Sequence, residues 1–289
     1  MSTSNPLLLF DSGVGGLTIA HEIRQLLPQT PLVYVADNRN FPYGILSEEA
    51  LVERVTKLFP NLIQQYQPCI IVIACNSAST VVLDKLRAIT ATPIIGVVPA
   101  IKPAARMSKS RHIGLLATPG TVQRMYTHKL IQDFAPDCRV TKVGSNPLVE
   151  EAENKFRGNQ VDLDRIAHAL RGFGDAQDMD TLVLGCTHFP LLKSEIQEAI
   201  DALQLQYPVQ LIDNGEAIAR RAAYLIELGQ ASGNPNTMVE TSGTAAPTLQ
   251  SGESTNRNRF LFTQELPQAH QLIPYLHLNG FDDADFIDH

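Results

Sequence analysis

The chain has 289 residues, 44% of them hydrophobic, and a formal charge of -7 from 23 basic and 30 acidic side chains. At roughly 150 residues per domain, that length allows two domains and a cleft between them, and the acidic balance argues against nucleic acid or an anionic membrane surface as a partner. The N-terminus lacks the basic start and cleavage site of a signal peptide, and no apolar run approaches the roughly 18 residues of a membrane span, so a soluble, cytoplasmic protein is expected.

Leu7 to Phe10 opens a series of short apolar runs that continues with Leu32 to Val35, Ile70 to Ala74, Ile94 to Val98, Ile113 to Ala117 and Leu182 to Leu184. Amphipathic stretches separate them, which predicts an α/β protein with mainly parallel sheets. Several runs end in a polar or glycine-bearing loop that opens a helix: Asp11-Ser12-Gly13, Asn76-Ser77, Thr118-Pro119-Gly120 and Thr187-His188. Ligands of open α/β sheets bind at such carboxyl ends.

The loops repeat in order. Asp11 and Thr118 stand 107 positions apart, and Cys75 and Cys186 stand 111 apart, each at a strand end. This predicts two similar parallel-sheet domains related by pseudo-two-fold symmetry, each bringing one cysteine to an active site in the cleft between them. The first domain is expected to hold residues 1–98 and 211–289, and the second 99–210. After the helix-like stretch Glu216 to Leu228, residues 229–258 are rich in Ser, Thr, Gly, Asn and Pro and read as a flexible loop. Arg259 to Thr263 reads as a strand, Pro267 to Leu276 as a helix, and Asp282 to Asp288 as a solvated acidic tail.

Four cysteines, at 69, 75, 138 and 186, show no CxxC pairing, and in a reducing cytosol they remain thiols. Cys75 lies where a buried strand gives way to a helix start, Asn76-Ser77-Ala78-Ser79, whose free backbone N–H groups suit a carboxylate and favour a thiolate; the plainer alternative is a small residue filling a strand end. Cys186 is followed two residues later by His188, which can receive or return the thiol proton. Asp11 heads a Ser-Gly turn and is either a partner of Cys75 or an ordinary helix cap. Asp37 closes the second strand, with acid-base and loop-capping roles both open. Phe41-Pro42-Tyr43-Gly44 is a rigid turn able to lay backbone donors over a small ligand. Cys69 and Cys138 lack such neighbours and read as structural. The glycines at 13, 15 and 16 make neither a dinucleotide fingerprint nor a P-loop, and no candidate ligands have the close spacing of a structural zinc site, so neither a phosphate cofactor nor a metal is expected.

Together, Phe10-Asp11-Ser12-Gly13-Val14-Gly15-Gly16-Leu17, Phe41-Pro42-Tyr43-Gly44, Ala74-Cys75-Asn76-Ser77-Ala78-Ser79 and Gly185-Cys186-Thr187-His188-Phe189-Pro190 resemble the glutamate racemase family. The resemblance implies a cofactor-independent isomerase with Cys75 and Cys186 as paired acid-base residues, tuned by Asp11, Asp37 and His188. It implies that Asp11, Ser12, Pro42, Tyr43, Gly44, Asn76, Ser77, Thr118, Thr187 and His188 hold glutamate, and that a second-domain carboxylate matches Glu150, with Glu151 as a competing alignment. It further implies a product used in peptidoglycan synthesis, a cell-wall nucleotide precursor as a candidate activator, and room for a homodimer. Three departures stand out: Ser77 where the family usually has threonine, Asn214 in place of a common serine, and a longer loop at 229–258. Aspartate and hydantoin racemases share the paired-cysteine plan. A Cys/His thiol hydrolase, which needs one cysteine, and a non-catalytic glutamate-binding protein are the rivals from other classes.

Overall fold

The computed structural model describes residues 5–231 and 257–287. In the first half, β1 (Leu7–Asp11), α1 (Leu17–Leu26), β2 (Leu32–Ala36), α2 (Glu48–Tyr66), β3 (Ile70–Ile73), α3 (Asn76–Arg87) and β4 (Ile94–Gly96) alternate in the predicted manner. The second half runs through α4 (Ile101–Met107), β5 (His112–Ala117), α5 (Pro119–Gln123), α6 (Met125–Phe134), β6 (Arg139–Gly144), α7 (Pro147–Phe156), α8 (Leu163–Leu170), β7 (Thr181–Leu184), α9 (Lys193–Asp201) and β8 (Gln210–Ile212). The chain closes with α10 (Gly215–Ala231), β9 (Arg259–Phe262), α11 (Pro267–Leu278) and β10 (Asp283–Phe286).

All strand pairings are parallel, in two sheets with the orders β10-β9-β2-β1-β3-β4 and β6-β5-β7-β8. The series β2-β1-β3-β4 and β6-β5-β7-β8 are the same arrangement repeated, which is the topology of the anticipated duplication. Alternation along β1 explains its apolar sequence: Leu7 and Leu9 enter one core with Ile19, Ile23 and Tyr34, while Leu8 and Phe10 enter another with Val55, Phe59 and Ile71. A strand covered by helices on both faces has no solvent side to carry polar residues. At about 1.5–3 kcal/mol for each fully buried large apolar side chain, these central strands dominate the stabilisation. In the second sheet Leu182 and Leu184 face one core and Val183 the other.

Three expectations change. The chain leaves the second sheet at Asp213 rather than at 211, because Gln210–Ile212 pair with β7. The acidic segment read as a solvated tail contains β10, which pairs with β9; Asp285 there forms an ion pair with Arg259 at 2.8 Å. The helix read as ending at Leu228 continues to Ala231, and most of the segment read as a flexible loop, residues 232–256, lies outside the described residues. Among the described residues no helix is long and apolar enough to cross a membrane.

Candidate functional site

Parallel strands in register bring their carboxyl ends to one edge, so Asp11 after Phe10 and Cys75 after β3 come together, as do Thr118 after β5 and Cys186 after β7. The two edges face each other. Asp11 is wholly buried: Oδ1 accepts from the Ser12 N–H at 2.6 Å, and Oδ2 accepts from the Thr187 hydroxyl of the other half at 2.9 Å. Burial pushes the Asp11 carboxyl above its ordinary range, against the charge of His188 and the hydrogen bonds from Thr187 and Ser12.

Cys75 is the residue that precedes α3, with 6% of its surface exposed. Burial pushes its thiol well up, reinforced by negative charge at Asp11 and Cys186 and opposed by the Ala78 N–H and the Ser12 hydroxyl. The hydrogen bond from Thr187 to Asp11 brings the loop that carries Cys186 against the end of β1. Cys186 Sγ lies 3.9 Å from His188 Nδ1, and His188 Nε2 lies 2.9 Å from Glu153 Oε1. That same oxygen accepts from the Val14 N–H at 3.0 Å, so a second-domain carboxylate also grips the Asp11 loop. Burial alone would strip the His188 proton; hydrogen bonds and charge from Cys186 and Glu153 outweigh it and hold the imidazole well above its ordinary range. Burial likewise disfavours charge on Glu153, but His188, the Val14 N–H and Arg157 hold it below the usual carboxylate range.

The carboxylate on His188 is therefore Glu153, not Glu150 or Glu151. Glu150 is exposed and pairs with Arg165, while Glu151, though buried, pairs with Arg165 at 2.7 Å and accepts from the Asp162 N–H at 3.0 Å. Helical phase explains the choice: Val149, Ala152 and Phe156 form the inward stripe of α7, and Glu153 falls within it. A carboxylate in an otherwise apolar stripe was the signal in the sequence. Asp37 also takes a different role from thiol tuning. Its carboxylate accepts from Arg54 at 2.7 and 2.9 Å, from Thr263 at 2.6 Å and from the Tyr43 hydroxyl. Burial alone would raise its pKa, yet these bonds hold it below the usual range.

That network anchors the turn at 41–44. Tyr43 is buried with its hydroxyl on Asp37 and its ring against Phe10, whereas Gly44 meets the second domain: a Cβ there would lie 2.8 Å from Thr118 Cβ. Beside it, the hydroxyls of Ser77, Thr118 and Thr121 form a buried triangle with sides of 3.0–3.2 Å across the cleft. Asn76 Oδ1 is buried without a hydrogen-bond partner among the described residues. Asn76, Thr18, Cys186, Thr187 and Asn214 line a cavity of about 10 Å³. This is at most the room of one water. The Pro42 carbonyl accepts from the Ile45 N–H within the turn itself, at 3.5 Å. Among the described residues no group of three His, Cys, Asp or Glu side chains is arranged to hold a metal, and all four cysteines are free.

Glycine allows this close approach. A Cβ at Gly15 would lie 2.4 Å from His188 Nδ1 and 2.7 Å from Thr187 Oγ1, and one at Gly13 would lie 2.6 Å from Glu153 Oε1. Gly15→Ala is expected to displace His188 and lower kcat/KM by about 100-fold, the usual scale for small misplacement of reacting groups. Steady-state kinetics beside a melting curve check this: near-normal turnover would show that the loop yields without moving the imidazole.

Residues 17–222 match the model of the Asp/Glu/Hydantoin racemase family. A protein named glutamate racemase from Shewanella sp. (strain MR-7) is 50% identical over 223 residues, covering 77% of this chain and 80% of that protein. The one from Shewanella oneidensis is 50% identical over 227 residues, 78% and 81% of the two chains. Among solved structures, Escherichia coli glutamate racemase in complex with L-glutamate and the activator UDP-MurNAc-Ala superposes with a TM-score of 0.84 at 42% identity, covering 99% of both chains. An isoform from Bacillus anthracis gives 0.76 at 28%, with 99% and 98% covered. A family match over most of the chain, relatives at half identity and a duplicated fold presenting paired cysteines agree: this chain belongs to the Asp/Glu/Hydantoin racemase family, whose members are isomerases.

Proposed function

We propose that this protein interconverts L- and D-glutamate, with Cys75 and Cys186 as the two acid-base groups. The observation that carries the reading is the placement of one cysteine at the equivalent strand end of each half, both buried, with the Asp11 and Cys186 loops joined by the Thr187–Asp11 hydrogen bond. Inversion needs two groups on opposite faces of Cα, because a single group returns the proton to the face it came from. In one direction a Cys186 thiolate takes the α-proton while the Cys75 thiol delivers its own to the opposite face; the reverse direction exchanges the roles. The protonated His188 is the countercharge a thiolate at Cys186 needs while it awaits that proton. The N-terminus of α3, which begins immediately after Cys75, offers backbone N–H groups of the kind that suit a substrate carboxylate and the negative charge that spreads onto it. Asn76 Oδ1 has a free acceptor for the substrate ammonium.

Glutamate rather than aspartate is favoured by the relatives at half identity, all of which carry that substrate in their names. The product would serve peptidoglycan synthesis, and a cell-wall nucleotide precursor is the effector to test, because the Escherichia coli relative is described with one. The deciding experiment is α-proton exchange of each glutamate enantiomer in deuterated water, with circular dichroism following handedness and no pyridoxal phosphate added. Deuterium entering Cα with decay of optical activity is the expected result. Glutamate that binds but neither exchanges nor inverts would overturn the reading.

A further inference from the structure

A charged side chain behind the site takes no part in the chemistry described so far. Arg124 stands at the junction of α5 and α6, serving as the last residue of one helix boundary and the first of the next. Its guanidinium leaves the second half and enters the first. Nη1 donates to the Ser77 carbonyl and, at 3.0 Å, to the Thr80 hydroxyl, both in the opening turn of α3, and Nε lies 3.6 Å from Glu48 at the start of α2. The side chain is only 5% exposed, and burial lowers its pKa, opposed by negative charge at Cys75 and Glu48. Such a group is costly to bury, and the partners of its guanidinium, Ser77, Thr80 and Glu48, all belong to the other half of the molecule.

Position gives this contact a purpose. The turn it grips begins immediately after Cys75 and carries Ser77, whose hydroxyl is held by Thr118 and Thr121 from the same segment as Arg124. Thr121 is tied in turn by the Thr127 hydroxyl, which donates to its carbonyl at 2.6 Å. Among the described residues the guanidinium's hydrogen bonds and ion pair go to Ser77, Thr80 and Glu48 and not to the Cys186 loop. We propose that Arg124 is a positioning residue that clamps the first turn of α3 from the opposite domain when the cleft is closed, fixing the Cys75 sulfur against one face of the substrate. The proposal rests on the two-cysteine reading above. Lysine would not replace it fully, because a single ammonium lacks the planar fork that spans Ser77, Thr80 and Glu48 together.

The test uses Arg124→Met, with Arg124→Lys as the milder variant should the first not fold, and α-deuterated L- and D-glutamate as substrates. In Arg124→Met, kcat/KM is expected to fall by about 100-fold, the scale of displaced reacting groups, with Arg124→Lys between it and the wild type. The distinguishing readout is asymmetry. Proton transfer at Cys75 becomes the slower of the two transfers, so the substrate isotope effect grows for the enantiomer that Cys75 deprotonates and shrinks for the one that Cys186 deprotonates. Isotope effects unchanged for both enantiomers, with or without a fall in rate, would overturn the proposal. Wild-type protein that neither exchanges nor inverts glutamate would instead sink the racemase reading beneath it.

Discussion

Cys75→Ala and Cys186→Ala are each expected to stop racemisation in both directions, with kcat falling by at least about 10³-fold, within the range that one positioned acid or base supplies. In the proposed two-cysteine mechanism each direction of inversion uses one sulfur to remove a proton and the other to deliver one, and the two sulfurs come from different halves of the molecule, so neither would stand in for the other. Removing a small buried side chain costs little packing, and both variants should stay folded in a thermal melt. Either variant retaining near-normal turnover would show that the reaction proceeds through one thiol or none.

Glu153→Gln is expected to produce the second largest loss, roughly 10²-fold near pH 8, by the same scale of acid-base contribution. Glutamine keeps a hydrogen-bonding group near Nε2 and Val14 but removes the charge that holds His188 protonated. The basic limb of the pH–kcat profile should therefore move down toward the ordinary imidazole value of about 6.5. Stability shifts with a defined sign. Glu153 is held below its unfolded value of about 4.3, so its contribution is present above that pH and is lost as pH falls through the folded value. His188 is held above about 6.5, so its contribution is complete below that pH and is lost as pH rises through the folded value. Urea titrations of the wild type and Glu153→Gln across these windows test the assignment, and parallel pH dependences in the two proteins would refute it.

The central architecture was legible because parallel strands buried on both faces must be continuous apolar runs, and β1, β2, β3, β5 and β7 are. Edge strands are not so constrained. β6 reads Arg139-Val140-Thr141-Lys142-Val143-Gly144 and β10 reads Asp283-Ala284-Asp285-Phe286, with exposed or half-buried positions throughout. Their pairing is specified by the neighbouring strand and by ion pairs such as Arg259–Asp285, not by their own hydrophobicity. In the candidate site, the motif residues stand out in the sequence because polar and nucleophilic types recur at strand ends. Partners chosen by tertiary approach were not. Asp37 meets Thr263 across 226 positions, Arg124 lies in no motif, and Glu153 is separated from Glu150 only by which side of α7 turns inward.

The repeated half-unit carries a thermodynamic consequence. The two walls of the cleft are equivalent in topology but not in furnishing: Cys75 has Asp11, Ser12 and the start of α3, while Cys186 has His188 and Glu153. Enantiomers have equal free energy in an achiral solvent, so the equilibrium constant of their interconversion is one, and kcat/KM must be identical from either side however unlike the walls become. The dissimilarity between the halves can therefore be expressed only in how that shared quotient divides into turnover and saturation, one enantiomer being held more tightly and turned over more slowly than its mirror image.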